Sequence, residues 1–274
     1  CTLDDEYVGE FGKGNGTGDG QFVWPVAMAL DNQNRIFITD EHSHRITSYT
    51  TSGEYLSHWG NPGDSDGELN GPAGIAVDSS GELFVVDQHN ARVQKFTPDG
   101  KFITNWGSFG NAPGQFNLPW GIAVDSDDNV YVADWRNDRI QKFSPDGQWE
   151  ASIGSSGSGV GQLNRPNGLA VDADGDIYVA DWMNNRVQVF APDGRYITEF
   201  HGEAVLSKWG RDKLASNPDM IRQRNLAFAN DPNYEKGLAH PCGVRIDPQG
   251  RIVIIDHTRN RLQVYIKEEE PALV

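Results

Sequence analysis

The sequence predicts an all-β propeller built from four-stranded antiparallel sheets, and two periodic features predict it. Asp31, Asp78, Asp125 and Asp172 recur every 47 residues, each closing a short apolar run, and Pro25, Pro72, Pro119 and Pro166 keep the same period. A fifth copy returns at Pro241 and Asp247, 75 residues after the fourth, so 28 extra residues are inserted before it. A fixed period in this range marks a supersecondary unit that cannot bury its apolar face alone and must stack on its neighbours.

One copy shows the unit. Pro119-Trp120-Gly121-Ile122-Ala123-Val124-Asp125 alternates like a half-buried strand and ends at the acid-rich turn Ser126-Asp127-Asp128-Asn129. Val130 to Asp134 and Arg139 to Phe143 are two further strands, rich in β-branched and aromatic residues. Ser144-Pro145-Asp146-Gly147 suits a type I turn closed by a glycine. A shorter strand, Gln148 to Ile153, then leads into a Gly-rich connector. Four strands per repeat, in series, describe a propeller blade.

These motifs, Pro-x-Gly-Ile-Ala-Val-Asp, Val-Tyr-Val-Ala-Asp, Asn-x-Arg-Ile-Gln-Lys-Phe and Ser-Pro-Asp-Gly, resemble the NHL repeat of β-propeller proteins from Phe22 to Tyr265. The segment Cys1 to Gly12 aligns with the fourth-strand segment Phe96 to Gly107, and the last copy stops just after Tyr265. Tyr7 to Phe11 is therefore expected to pair with Arg261 to Tyr265 and close five blades as one domain over 1–274. The resemblance implies six blades more often, so a ring lacking one blade is the alternative.

The formal charge of −16 opposes the phosphate contacts on which nucleic-acid binding rests, and nucleic acid is not an expected partner. No apolar run is long enough to span a membrane. Two cysteines are too few for a disulfide framework, and the balance leans toward an extracytoplasmic location. Arg45, Arg92, Arg139, Arg186 and Arg261 follow Asp40, Asp87, Asp134, Asp181 and Asp256 by five residues each, which predicts a structural ion pair in every blade. Asn90, Asn137 and Asn184, between them, read as turn caps.

Function belongs to positions where the copies differ. The residue after each repeat Pro and the loop after each second strand emerge on one face, around the channel. There blades three and four offer Trp120, Trp135, Trp182, Asn167 and Arg136, which predicts a concave, mainly apolar site for a small organic or peptide ligand, or a protein partner. Blades five, one and two offer His257, His42, His89, Glu41 and Cys242, a set with the chemistry to bind zinc but no constraining spacing. No cofactor is expected, with zinc or calcium as the alternative.

The resemblance extends to the peptidyl-hydroxyglycine lyase, in which it implies zinc histidines after the repeat Pro. Here those positions hold Val26, Ala73, Trp120, Asn167 and Cys242, so that mechanism is not expected. For a lactonase-like calcium site the sequence nominates only Asn167 and Glu41. The reading is a non-catalytic binding propeller, the alternative a metal-dependent lyase or hydrolase at the channel mouth. The insertion at about 203–238 is expected to be helical, with Asn217-Pro218-Asp219 starting a helix, and to cover the Trp-bearing face.

Overall fold

The computed structural model describes residue 10 and residues 12–204, 214–230 and 236–267. Blade one comprises β1 to β4 (Pro25–Leu30, Arg35–Asp40, Arg45–Thr50, Tyr55–Trp59) and blade two β5 to β8 (Pro72–Val77, Leu83–Asp87, Arg92–Phe96, Phe102–Trp106). Blade three comprises β9 to β12 (Pro119–Val124, Val130–Asp134, Arg139–Phe143, Trp149–Ile153). The short parallel pair β13 and β14 (Ser155–Ser156, Gln162–Leu163) ties the following connector together. Blade four comprises β15 to β18 (Pro166–Val171, Ile177–Asp181, Arg186–Phe190, Tyr196–Phe200). Blade five shows β19 to β21 (Pro241–Ile246, Arg251–Asp256, Arg261–Ile266) among the described residues. Strands within each blade pair antiparallel in chain order, as the alternating pattern requires. The fold is a five-bladed β-propeller; the expected fourth strand of blade five, Tyr7 to Phe11, lies outside the described residues.

Four apolar interfaces hold consecutive blades together. Phe37 and Ile46 of blade one meet Ile75, Leu83 and Val85 of blade two, and Phe84, Val86 and Val93 meet Ile122, Val130 and Val132 in turn. Tyr131 and Ile140 meet Leu169 and Val179, and Tyr178 and Val187 meet Val244 and Ile254. Among the described residues no fifth cluster of this kind joins blade five to blade one.

The first strands approach closely because the third residue of the repeat is glycine. A Cβ on Gly121 would sit 2.2 Å from the Asn167 carbonyl oxygen of the next blade, and one on Gly74 would sit 2.5 Å from that of Trp120.

The predicted ion pairs form in four blades, inside a larger clamp. Asp134 is fully buried, and one carboxylate oxygen accepts from Asn137 Nδ2 (2.9 Å), Arg139 Nε (2.9 Å) and Gln141 Nε2 (3.1 Å). Its other oxygen accepts the Asn117 backbone N–H at 2.8 Å. Arg139 and Gln141 then donate to the Gln115 carbonyl at 2.9 and 2.7 Å, so the clamp grips the connector entering its blade. Asp87 and Asp181 repeat the arrangement, and Asp256 pairs with Arg261 at 2.7 Å. The expected pair in blade one is corrected: Arg45 reaches the carbonyls of Thr17, Gly18 and Gln21, while Asp40 accepts from the amides of Val23, Trp24 and Ser43. Blade one has Ser43 and Thr47 where blades two to four have Asn and Gln and blade five has Arg259 and Gln263, and these shorter side chains do not complete the clamp.

Candidate functional site

The clamp sets the geometry of the exposed face. After Asp134 and Asp181 the chain makes one 3₁₀ turn each, Trp135–Asn137 and Trp182–Asn184, and returns through a left-handed residue, Asp138 or Asn185. The indoles begin these turns and stay half-buried, with ring centroids 6.1 Å apart and planes tilted by 39°. Two further residues join them. The guanidinium of Arg165 lies 4.2 Å from the centre of Trp135, and the ring of His240 lies 5.2 Å from Trp182.

Arg165 and His240 each precede a repeat Pro and hold positive φ, 57° and 52°. That conformation is disfavoured for residues with a Cβ and disfavoured again before proline. It is held by the preceding blade, whose Asp138 and Asn185 side chains accept the Arg165 and His240 backbone N–H groups at 2.8 and 2.9 Å. Gly71 and Leu118 hold the same conformation before their prolines, φ 66° and 49°, so the left-handed residue belongs to the repeat while the side chain it presents differs. Sequence reasoning compared residues after the repeat Pro and missed these two before it; the available signal was Gly71, Leu118, Arg165 and His240, four unlike residues at one position.

Of the predicted site residues, the structure joins Trp135 and Trp182 and places exposed Arg136 beside Trp135, 5.9 Å from its ring centre. Trp120 is half-buried against the apolar cluster between blades two and three, and Asn167 is half-buried at the next blade's equivalent position. A channel cavity of about 650 Å³ is lined by later residues of the first strands, including Met28, Val77, Val124, Leu169 and Arg245.

The helix α1 (Pro218–Asn230) begins as expected, with the Asn217 carboxamide oxygen accepting the Asp219 N–H at 3.1 Å. Its Met220, Ile221 and Leu226 are exposed.

On the histidine side, His89 lies 3.7 Å from Glu41, while His42 and His257 are exposed and Cys242 is half-buried. Burial pushes the Cys242 thiol above its ordinary range. Among the described residues no three His, Cys, Asp or Glu side chains converge in a group able to hold a metal ion, so the four candidates are not brought together. Nor is any helix of the described residues long and apolar enough to cross a membrane.

The NHL repeat pattern matches residues 69–96, 116–143 and 163–190, the cores of blades two, three and four. No protein with a curated description matches the sequence significantly. Among solved structures the chain is similar to virginiamycin B lyase from Staphylococcus aureus, at 15% identity over 90% of this chain and 71% of that one, with a TM-score of 0.56. It is similar to a chain of a nidogen–laminin complex, at 18% identity over 89% and 80%, with a TM-score of 0.59. A gluconolactonase from Xanthomonas campestris follows at 16% identity over 83% and 67%, with a TM-score of 0.55. At these identities the likeness concerns the fold, which serves catalysis in some of these proteins and assembly in another.

Proposed function

The chain is an NHL-repeat β-propeller, and from that premise we propose that it is a non-catalytic binding module. It takes a small organic or peptide ligand, or a segment of a protein partner, on the face that carries Trp135 and Trp182. The observation that supports this is the unbroken line Arg165, Trp135, Trp182, His240, in which each group lies within about ring-contact distance of the next and the indoles keep accessible surface. Indoles supply large rigid apolar area with one N–H each, and the guanidinium over Trp135 supplies a planar cation able to meet a carboxylate. Arg136 lies beside Trp135, and in this reading Trp120 and Asn167 extend the binding face toward the channel mouth.

The test is a titration of the chain with a panel of short peptides carrying aromatic residues or a free C-terminal carboxylate, read by intrinsic fluorescence. Trp135→Ala and Trp182→Ala should each weaken the best binder by roughly tenfold or more, about 1.4 kcal/mol, with the circular dichroism spectrum unchanged. Binding that survives both substitutions would remove this face from the function.

A further inference from the structure

The line Arg165, Trp135, Trp182, His240 has a chemical direction. Blades three and four make the same 3₁₀ turn with an indole at its first position, but the second position is Arg136 in one and Met183 in the other, both exposed. Arg165, at the entrance to blade four, adds a second cation at the blade-three end. Its guanidinium lies 4.2 Å from the centre of the Trp135 ring and that of Arg136 lies 5.9 Å from it, so the two charges stand within about 10 Å of each other. Trp182 has different company: Met183 follows it in the chain, and the His240 ring lies 5.2 Å away, its Nδ1 hydrogen-bonded to Thr258 Oγ1 at 2.8 Å.

Both guanidiniums are left without a counter-charge. The chain carries 39 acidic against 23 basic side chains, and Arg92, Arg139, Arg186 and Arg261 each sit on a carboxylate. Arg136 and Arg165 make neither an ion pair nor a side-chain hydrogen bond among the described residues. Asp138, the acid bound to the Arg165 backbone, is already committed: one oxygen accepts that N–H at 2.8 Å and the other accepts the Ser156 hydroxyl at 2.6 Å. Nor does the repeat require these cations. The Arg165 position holds Trp24, Gly71, Leu118 and His240 in the other blades, and the Arg136 position holds His42, His89, Met183 and Thr258. Two cations beside one ring repel each other, and an anion placed between them removes that cost. In a chain of net charge −16 such a pair is a local exception that gives an anion one place to settle.

We propose that this line is a directional site for an arylalkyl carboxylic acid, with the carboxylate between Arg136 and Arg165 and the aromatic group on Trp182 beside Met183. The assignment rests on the binding role proposed for this face and adds the charge, the chemical class and the orientation of the ligand. A guanidinium presents a planar fork of N–H donors that matches the two oxygens of a carboxylate. The indole centroids are 6.1 Å apart, and in a 3-arylpropanoate or a C-terminal phenylalanine about three C–C bonds of ~1.5 Å separate the carboxyl carbon from the ring, so one ligand reaches both ends of the line.

The test compares acids with their amides. 3-Phenylpropanoate and 3-phenylpropanamide, and the peptide N-acetyl-Ala-Phe with a free or an amidated C-terminus, are titrated by intrinsic fluorescence at low and high salt. Each acid should bind roughly tenfold or more tightly than its amide at low salt, and added salt should shrink that ratio toward one. The tighter of the two acids tells whether a free organic acid or a peptide terminus is the source. Arg136→Gln and Arg165→Gln should each cut the acid-to-amide ratio by about threefold or more, while Trp182→Ala should weaken acid and amide by the same factor. Arg195→Gln, an exposed arginine elsewhere on blade four, should leave the ratio unchanged. Equal binding of acid and amide, lost in Trp135→Ala and Trp182→Ala, would overturn this assignment and keep the binding face. A ratio that survives both arginine substitutions, one that falls as far in Arg195→Gln, or a clear preference for phenyl phosphate over the carboxylates would also overturn it. Probes that fail to bind, or that bind regardless of the indoles, would overturn the face and the assignment together.

Discussion

Removing the carboxylate of Asp134 should be among the most destabilising single changes in the molecule. The side chain is fully buried and four donors converge on it: the Asn117 amide, Asn137, Arg139 and Gln141, at 2.8 to 3.1 Å. In Asp134→Ala, Arg139 keeps its carbonyl partners on the connector but loses the one ion pair it makes among the described residues, and a largely buried cation is left uncompensated. Breaking one side of a buried pair costs about 3–5 kcal/mol. For a chain of this size about 2–4 °C are lost per kcal/mol, so the melting temperature should fall by roughly 6–20 °C. Urea denaturation gives the free energy directly, with Asp40→Ala as the comparison: Asp40 holds three backbone amides but no arginine, and its loss should cost less, about 1–3 kcal/mol. A loss below about 1 kcal/mol for Asp134→Ala, or a larger loss at Asp40, would refute the claim that the ionic clamp is what fixes the turns carrying the indoles.

Three further outcomes are expected. Gly121→Ala places a methyl 2.2 Å from the backbone oxygen of Asn167 and should destabilise by about 2 kcal/mol or more, whereas Gly243→Ala meets only the flexible end of Ile255 and should cost less than half as much; paired thermal melts decide it. Burial pushes the Asp40 carboxyl up, but the amides of Val23, Ser43 and Trp24 outweigh it and hold it below its ordinary value of 3.8. A depressed carboxyl stabilises the fold above its unfolded pKa and loses that contribution as pH falls through the folded one, so acid titration of Asp40→Asn should show a shallower loss of stability below about pH 4 than the parent chain. Lys267, 2.7 to 2.9 Å from Asp172, Asp174 and Asp176, ties blade five to blade four, and Lys267→Met should raise amide exchange in β21 without altering β5 to β8.

Much of this architecture was legible because period, turn chemistry and apolar alternation agree at every copy. Pro119 to Phe143 states three strands and their order within one repeat, and the Asp to Arg spacing of five residues anticipates the clamp in blades two to five. Blade one broke the rule because Asp40 and Arg45 keep the spacing while Ser43 and Thr47 are too short to bridge them; pair spacing alone does not reveal that loss. The site was legible in part. Trp135 and Trp182 were found as departures from the repeat, but Arg165 and His240 act through a left-handed backbone before proline, which depends on acceptors in the preceding blade 27 and 55 residues away.

Five self-aligned copies make the molecule its own control. A residue such as Val132 is explained by the repeat, because Val85 and Val179 hold the same place under the same burial. Trp135, Arg165, His240 and Arg245 are not, since most of their counterparts carry other chemistry on the same backbone and Trp182 alone repeats the indole of Trp135. Three of these four gather on one face of blades three to five, and the fourth lies in the channel. Packing alone would scatter such departures over the connectors. Their concentration on one face is the sequence irregularity on which the proposed binding reading rests, with the regular remainder of each repeat serving to hold that face in place.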